Sequence, residues 1–254
     1  MNFECILYEK QQGVGIIRLN RPRVLNAMNR QLWLDFETAL ADAGEDKGVR
    51  AVVITGEGRA FSTGADLKDS RDRTIEDYRI YLESLQQASR QLIRFHKPVI
   101  AAVNGYAIGS GFELALACDI RIADEDARMG LTEATVASSV TGGALRQIQD
   151  LVGPGKAKEL LFTGELINGR EAERIGLVNR AVPGDQLMET AIAMAETIAK
   201  NAPLSLSLIK KGLYLARGEA SMDALMSFEI EACLACVSAK ERKTSLDAFE
   251  KRNQ

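Results

Sequence analysis

The chain is short of the residues on which several common enzyme chemistries depend. Among 254 residues it has one histidine, one tryptophan, five prolines and four cysteines. A Ser-His-Asp hydrolase would have only His96 as its base, and no G-x-S-x-G turn is present to hold the serine. The sequence therefore argues against such a hydrolase, and we interpret His96, which stands before Lys97-Pro98, as a structural residue.

The cysteines are too few for a disulfide-stabilised scaffold in a chain of this size. Cys233 and Cys236 form a C-x-x-C pair, but they lie in an apolar helical pattern and not at a strand-to-helix turn. A zinc site built from them would lack further ligands, because the chain has a single histidine. We interpret the pair as small residues that pack a helix, with redox or metal use as the less favoured alternative.

The sequence has no strong excess of either charge and no long apolar run. Its 32 Lys and Arg against 35 Asp and Glu give a net charge of −3, without the basic blocks typical of nucleic-acid or membrane-surface binding. No apolar run approaches the roughly 18 residues that span a bilayer, and residues 1–7 lack the regions of a secretory signal. We expect a cytoplasmic protein without nucleic-acid or membrane partners; a transit peptide removed earlier would leave no trace.

Strand-like and helical segments alternate through the first two thirds of the chain. Cys5 to Tyr8 and Val14 to Leu19 are predicted to form an opening hairpin, and buried strands are predicted at 51–55, 99–103 and 120–123. Helical spacing separates the buried strands, which predicts an α/β fold with parallel pairing. From about residue 153 the pattern is almost wholly helical, with helices over 156–162, 170–175, 185–200, 203–216 and 222–251 and a strand only at 177–181.

Two glycine-rich turns each follow a buried strand and precede a carboxylate. The first covers residues 61–66, and the second covers residues 104–111 and opens the helical stretch that contains Glu113. The second begins like a dinucleotide-binding fingerprint, but Leu114 stands where the third glycine is needed, so we expect no NAD site. If the strands lie side by side, the turns meet and aim N–H donors at one oxygen. The alternative, that the glycines only make turns, is slightly favoured by spacing alone.

Glu113 and Glu133 are the candidate acid and base. Glu113 is flanked by apolar residues such as Phe112 and Leu114, so exposure to solvent is less expected there than for an average glutamate. Glu133 lies twenty residues further on, and no argument from the sequence alone places it beside Glu113. If the two carboxylates meet, they cannot both ionise freely, and one becomes an acid while the other becomes a base.

At these residues the chain resembles the crotonase, or enoyl-CoA hydratase/isomerase, family. The resemblance is carried by Gly64 to Lys68, Lys97 to Gly105, Gly109 to Ala115 and residues 164–183, and it covers essentially the whole chain. It implies a crotonase-like ββα spiral core over residues 1–195, which binds acyl-CoA, and a helical trimerisation region over residues 196–254.

The resemblance also implies roles for individual residues. The backbone N–H groups of Ala65 and Ser110 would form an oxyanion hole, Glu113 would activate water, and Glu133 would exchange a proton at the α-carbon. These roles imply an enoyl-CoA hydratase, which adds water syn to a trans-2-enoyl-CoA and needs no metal or other cofactor, since coenzyme A is part of the substrate. Arg21 is a further candidate for the CoA phosphates. The implied substrate-binding residues are Ala65, Asp66, Leu67, Lys68, Arg23 and Val24.

Homotrimers, or hexamers made of two trimers, are likewise implied by the resemblance. Met222, Leu225, Phe228 and Ala232 form an apolar set that serves either this contact or the core of the chain itself.

The segment after Glu133 departs from the family pattern, because residues 138–144 read SSVTGGA where relatives are richer in proline and glycine. Since this segment would shape the acyl pocket, the acyl group stays open, with branched and cyclic groups included. The alternative functions are a double-bond isomerase, another acyl-CoA lyase or hydrolase of the family, and a CoA-binding scaffold without turnover. The presence of both glutamates favours the hydratase.

Overall fold

The computed structural model describes residues 2–66 and 74–218, together with Met226, Phe228, Glu231 and Ala235. These residues form strands that belong to two sheets and helices that pack against them. The strands are β1 (Ile6–Gln11), β2 (Val14–Leu19), β3 (Ala51–Gly56), β4 (Ala60–Ser62), β5 (Val99–Val103), β6 (Tyr106–Ile108), β7 (Ile120–Asp124), β8 (Arg128–Gly130), β9 (Ile167–Asn168) and β10 (Arg180–Val182). The α-helices are α1 (Arg30–Glu45), α2 (Ile75–Arg94), α3 (Ser110–Ala117), α4 (Ala144–Thr163), α5 (Gly169–Arg174), α6 (Leu187–Ala199) and α7 (Pro203–Ala216).

The larger sheet has six strands in the order β1-β2-β3-β5-β7-β10. β1 and β2 pair antiparallel as the predicted hairpin, and every later pair in this sheet is parallel. Parallel neighbours need a crossover, and α1, α2 and α3 lie in the connections that lead to β3, β5 and β7. β3 and β5 are buried along their whole length, which explains their continuous apolar sequences.

A smaller sheet has the strand order β4-β6-β8-β9. β4, β6 and β8 each follow a strand of the larger sheet after a short turn, so the chain steps repeatedly from one sheet to the other. Asn104 fixes one such step: its Nδ2 donates to the carbonyls of Gly56 (2.9 Å) and Gly58 (2.8 Å), and its Oδ1 accepts the Gly56 N–H. The sequence did not predict this sheet, because strands of two or three residues are too short to show an alternating pattern.

Helices cover both faces of the larger sheet, as the predicted α/β fold requires. Successive residues of a strand point to opposite faces, so Ile54 joins the core with Phe36 of α1 while Val53 packs on the other side with Leu187 of α6. α1 begins where the side chain of Asn29 accepts the Leu32 N–H, which satisfies one of the free donors of its first turn. The predicted fold class is confirmed.

Some element bounds differ from the prediction. α4 begins at Ala144 instead of Lys156. Gly153, with φ 78°, has a non-helical backbone and divides α4 into two consecutive helical segments separated by a kink. The predicted strand at 177–181 is shorter and lies at Arg180–Val182. The predicted domain boundary between residues 195 and 196 falls inside α6, and the division into two domains stays a prediction.

Most of the helix predicted over 222–251 lies outside the described residues. This applies to Cys233 and Cys236, and to Met222, Leu225 and Ala232 of the predicted oligomer contact. Phe228 is described, and it packs within the chain: a Cβ placed on Gly212 of α7 would lie 3.0 Å from its ring. Among the helices that the structure describes, none is long and apolar enough to cross a membrane.

Candidate active site

The turn after β4 carries an unpaired backbone donor. A parallel bridge joins Ala65 to Met28: the Met28 N–H donates to the Gly64 carbonyl at 2.7 Å, and the Asp66 N–H donates to the Met28 carbonyl at 3.2 Å. Because the neighbours of Ala65 make these bonds, the Ala65 N–H points to the opposite side. It has no hydrogen-bond partner within the described part of the chain.

The start of α3 carries a second unpaired donor. Gly109 precedes the helix with φ 54° and ψ −129°, a conformation that only glycine adopts readily. Its carbonyl accepts the N–H groups of Phe112 (2.8 Å) and Glu113 (2.9 Å). The N–H of Ser110 at the first helical position has no partner among the described residues, as expected for the first turn of a helix. The helix dipole adds partial positive charge at this end.

These two turns pack against each other through glycine. A Cβ on Gly64, which has φ 87°, would lie 2.7 Å from the carbonyl oxygen of Ile108 and 3.1 Å from the nitrogen of Ser110. A Cβ on Gly111 would lie 2.2 Å from the carbonyl oxygen of Ser62. No side chain fits at either glycine, so the backbones meet directly. The free N–H groups of Ala65 and Ser110 therefore belong to adjacent backbone segments, whereas spacing alone had slightly favoured glycines that only make turns.

Glu113 lies in α3, which is buried from Gly111 to Ala117, and is only 4% exposed. Its partner is Thr141, which was not predicted: the Thr141 N–H donates to Oε1, and the Thr141 hydroxyl donates to Oε2 at 2.8 Å. Burial raises the pKa of Glu113, and the two hydrogen bonds from Thr141 oppose that rise by favouring the charged carboxylate.

Glu133 is the first residue of a short 3-10 helix, Glu133–Val136, that follows β8. Its Oε1 lies 3.1 Å from the place where a Cβ on Gly109 would be. Its Oε2 is buried and has no hydrogen-bond partner among the described residues. Burial raises the pKa of Glu133 to about 7; the hydrogen bond from its own N–H opposes this rise, and the negative charge of Glu113 adds a smaller effect that raises the pKa.

The two glutamates meet around Gly109. The carbonyl of Gly109 accepts the Glu113 N–H, and its α-carbon faces the Glu133 carboxyl group. The fold thus places two carboxyl groups of unequal environment beside two free backbone donors. One carboxyl is held by two hydrogen bonds as an acceptor, and the other has a buried oxygen that favours the protonated form. Such a site can take a proton at one position and deliver a proton at another.

The predicted CoA-binding residues are only partly described. Arg23 and Val24 are exposed on a 3-10 turn. Asp66 forms an ion pair with Arg21 at 2.9 Å. The same guanidinium donates to the carbonyl of Ala27 at 2.5 Å, so Arg21 is engaged inside the protein and Arg23 is the exposed cationic candidate. Leu67 and Lys68 lie outside the described residues.

Asn26 holds the first glycine turn in place, and the sequence did not predict this role. It is fully buried with φ 55°, and its Nδ2 donates to the carbonyls of Glu57 (3.0 Å) and Ala60 (2.6 Å). Its own carbonyl accepts the Ser62 hydroxyl, which in turn accepts the Gly64 N–H. The sequence offered one clue: Asn26 lies in a segment without helical or strand-like spacing of apolar residues. Asparagine at such a position is compatible with a left-handed backbone, which it tolerates better than most residues.

A large cavity in the protein lies away from the candidate site, so cavity volume does not identify the site. A cavity of about 590 Å³ lies between α4, α6 and α7, near Pro98 and Ile120 at the amino ends of β5 and β7. The candidate site lies at the opposite, carboxyl ends of β3 and β5, where ligands of parallel sheets bind, and neither glutamate lines the cavity. The free donors and paired carboxyl groups are therefore the better guide. No group of three His, Cys, Asp or Glu side chains suited to a metal occurs in the described ranges.

Comparison with known proteins gives matches that cover nearly the whole chain. Residues 9–254 match the family described as enoyl-CoA hydratase/isomerase. The short-chain-enoyl-CoA hydratase of Clostridium acetobutylicum is 37% identical over 99% of this chain and 97% of its own length. The crotonyl-CoA hydratase of Syntrophomonas wolfei is 35% identical with the same coverage. The crystal structure of an enoyl-CoA hydratase from Bacillus anthracis has a TM-score of 0.94 and 35% identity, over 98% of this chain and 97% of that one.

The chain belongs to the enoyl-CoA hydratase/isomerase family. This confirms the resemblance inferred from the sequence, and the structural match confirms the crotonase-like form of the fold.

Proposed function

We propose that this protein is an enoyl-CoA hydratase, which adds water syn to a trans-2-enoyl-CoA and gives a 3-hydroxyacyl-CoA. The observation that carries the proposal is the pair of carboxyl groups, Glu113 and Glu133, beside the free N–H groups of Ala65 and Ser110. The names of the relatives, a short-chain-enoyl-CoA hydratase and a crotonyl-CoA hydratase, support the same reaction.

Each group has a distinct part in the proposed reaction. Glu113 takes a proton from water while the water oxygen bonds to the β-carbon of the enoyl thioester. The electron pair of the double bond moves toward the thioester oxygen, and the resulting enolate oxygen accepts hydrogen bonds from Ala65 and Ser110. Glu133 then gives its proton to the α-carbon. In related sites, loss of one such donor weakens transition-state binding by about 2.7–4 kcal/mol.

The different environments of the glutamates suit these parts. A pKa of about 7 keeps a substantial share of Glu133 protonated near neutral pH, as a proton donor requires. Burial raises the pKa of Glu113, and the hydrogen bonds from Thr141 partly offset this rise by favouring the ionised form, which a base requires. After each turnover Glu113 has gained one proton and Glu133 has lost one, and exchange with solvent restores both.

Acyl-CoA is the proposed substrate class, and crotonyl-CoA is the first compound to test because two relatives bear short-chain names. The proposed CoA contacts are Ala65, Asp66, Leu67, Lys68, Arg23 and Val24. We propose that no metal or other cofactor takes part. The homotrimer or hexamer stays a prediction, which is supported by the apolar side chains of Ile209 and Leu213 that α7 exposes by 60% and 63%. The cytoplasmic location also stays a prediction.

A panel of short, long, branched and cyclic enoyl-CoA thioesters, analysed by mass, tests the proposal. A hydratase adds the mass of one water and removes the ultraviolet band of the conjugated thioester. An isomerase moves the double bond without a change in mass, and a hydrolase releases free CoA. If no member of the panel gains water, the assignment is wrong.

A further inference from the structure

Thr141 contacts both oxygens of the Glu113 carboxylate. Its N–H donates to Oε1 and its hydroxyl donates to Oε2 at 2.8 Å. The terminal torsion of a glutamate is broad and roughly two-fold, so packing alone fixes the plane of a carboxylate poorly. Two donors from one residue, one on each oxygen, fix that plane. Each oxygen can still accept a further hydrogen bond, for example from a water molecule.

The backbone around Thr141 is itself held in place. Its carbonyl accepts the Ala144 N–H at 2.9 Å, which closes a turn at the start of α4. Gly142 and Gly143 have φ of 59° and 81°, so this turn depends on glycine. A Cβ on Gly142 would lie 2.7 Å from the hydroxyl oxygen of Ser89 in α2 and 3.7 Å from the Cβ of Glu113. The turn therefore lies directly on the helix that carries the candidate base.

The hydroxyl of Thr141 is a feature of this sequence and not a requirement of the turn. Any residue except proline supplies the N–H that reaches Oε1, whereas only serine or threonine adds a hydroxyl donor with the same reach. Thr141 also lies in residues 138–144, the segment in which the chain departs from the family pattern.

We propose that Thr141 is a positioning residue, whose hydroxyl holds the Glu113 carboxylate in the orientation that takes a proton from water. This inference rests on the proposed hydration reaction, but the contact itself does not depend on the substrate. Among the described residues of the site, Glu133 is a second titratable group close enough to interact with Glu113, because the charge of Glu113 raises the pKa of Glu133.

Thr141→Val, with nearly the same shape, and Thr141→Ser, which keeps the hydroxyl, form the matched pair. Loss of a hydrogen bond to a charged group typically changes a rate or equilibrium constant by a factor of about 10 to 100. We therefore expect Thr141→Val to lower kcat by that factor while KM changes little. The acid limb of the kcat/KM profile should move to higher pH, because a donor that favours ionised Glu113 is lost. Thr141→Ser should recover most of the lost turnover. Thr141→Ala repeats the test with a smaller side chain should Thr141→Val fold poorly.

A measurement without substrate separates this inference from the proposed function. Protein labelled with ¹³C at the glutamate carboxyl groups is titrated by NMR, and the Glu113 signal is the one missing in Glu113→Gln. Thr141→Val should raise the pKa of Glu113 above that of the wild type, and Thr141→Ser should not. If this holds while no enoyl-CoA gains water, the positioning contact stands and the hydratase proposal fails. If Thr141→Val matches the wild type in both kcat and the Glu113 titration, the role of Thr141 is refuted.

Discussion

The carboxyl group of Glu133 lies directly over the α-carbon of Gly109, where a Cβ would approach its Oε1 to 3.1 Å. Gly109 also accepts the Glu113 N–H through its carbonyl, and its own N–H donates to the Gly130 carbonyl at 3.0 Å. One residue thus joins the start of α3, the strand before Glu133 and the carboxyl group of Glu133. With Oε2 of Glu133 buried and unpartnered among the described residues, this arrangement favours a neutral carboxyl group.

The raised pKa of Glu133 predicts that this residue destabilises the fold at high pH. Its pKa rises from an ordinary 4.5 to about 7 on folding, so its contribution to stability is complete below pH 4.5 and is lost as the pH rises through 7. Glu133→Gln cannot ionise and should therefore be more stable than the wild type at pH 8, by about 1 kcal/mol after allowance for solvent screening at this half-buried site. The two should converge near pH 4.5.

Urea unfolding at pH 4.5, 6 and 8 measures this difference. Glu165→Gln removes one charge at an exposed position and serves as the control. A constant gap between Glu133→Gln and the wild type at all three pH values would contradict the raised pKa.

Replacement of either glutamate by glutamine should remove most of the turnover and leave CoA binding intact. Glutamine keeps the shape of the side chain but neither takes nor gives the proton, and such groups typically contribute about 10²- to 10⁴-fold. Steady-state rates with crotonyl-CoA and calorimetric titration with CoA provide the two readings. A variant whose rate equals that of the wild type would take its glutamate out of the mechanism.

The contact between the two glycine turns predicts a large effect for Gly64→Ala. The added Cβ would lie 2.7 Å from the Ile108 carbonyl oxygen, which forces apart the segments that carry the free N–H groups. We expect kcat to fall by about 100-fold or more, the usual result of losing one oxyanion donor.

Gly153→Ala is the matched control for Gly64→Ala. Gly153 has a similar φ of 78°, but a Cβ there would meet nothing within 4 Å. Both variants should lose some stability from the strained φ, by about 1 kcal/mol, but only Gly64→Ala should lose activity. Equal rates for the two variants would show that the close approach at Gly64 has no part in turnover.

Asn26→Ala should destabilise the protein by about 2–4 kcal/mol. The change removes two donors from buried carbonyls and the acceptor of the Arg21 N–H, and it leaves alanine with a left-handed backbone. Chemical denaturation measures the loss, and Asn201→Ala at an exposed position is the comparison. A loss no greater than that of Asn201→Ala would mean that Asn26 does not anchor the Gly64 turn.

The sequence predicted those features that depend on local periodicity. The strands Val14–Leu19 and Val99–Val103 and the helix Pro203–Ala216 were predicted at the bounds that the structure has. The smaller sheet was missed because its strands are shorter than one full alternation.

For the site as well, the sequence could predict local features but not contacts between residues that are far apart in the chain. Parallel strands that end at the same edge of a sheet made the meeting of the glycine turns one of two open alternatives, and spacing alone slightly favoured the other. Contacts between distant positions carry no local pattern, so the sequence neither paired Glu133 with Glu113 nor showed that Thr141 donates to Glu113. The resemblance to a family assigned a role to Glu133, and the fold alone placed its carboxyl group over Gly109.

The position of residues 134–139, exposed immediately after Glu133, has a consequence for how this protein can diversify. Glu113 and the free N–H groups of Ala65 and Ser110 lie on backbone fixed by Gly109, Gly64 and the helix that follows, whereas Val136 in the exposed segment is 64% accessible. Substitutions in that segment can therefore accumulate at little cost in packing, because its side chains are largely outside the core, while the contacts at Gly109 and Gly64 stay unchanged.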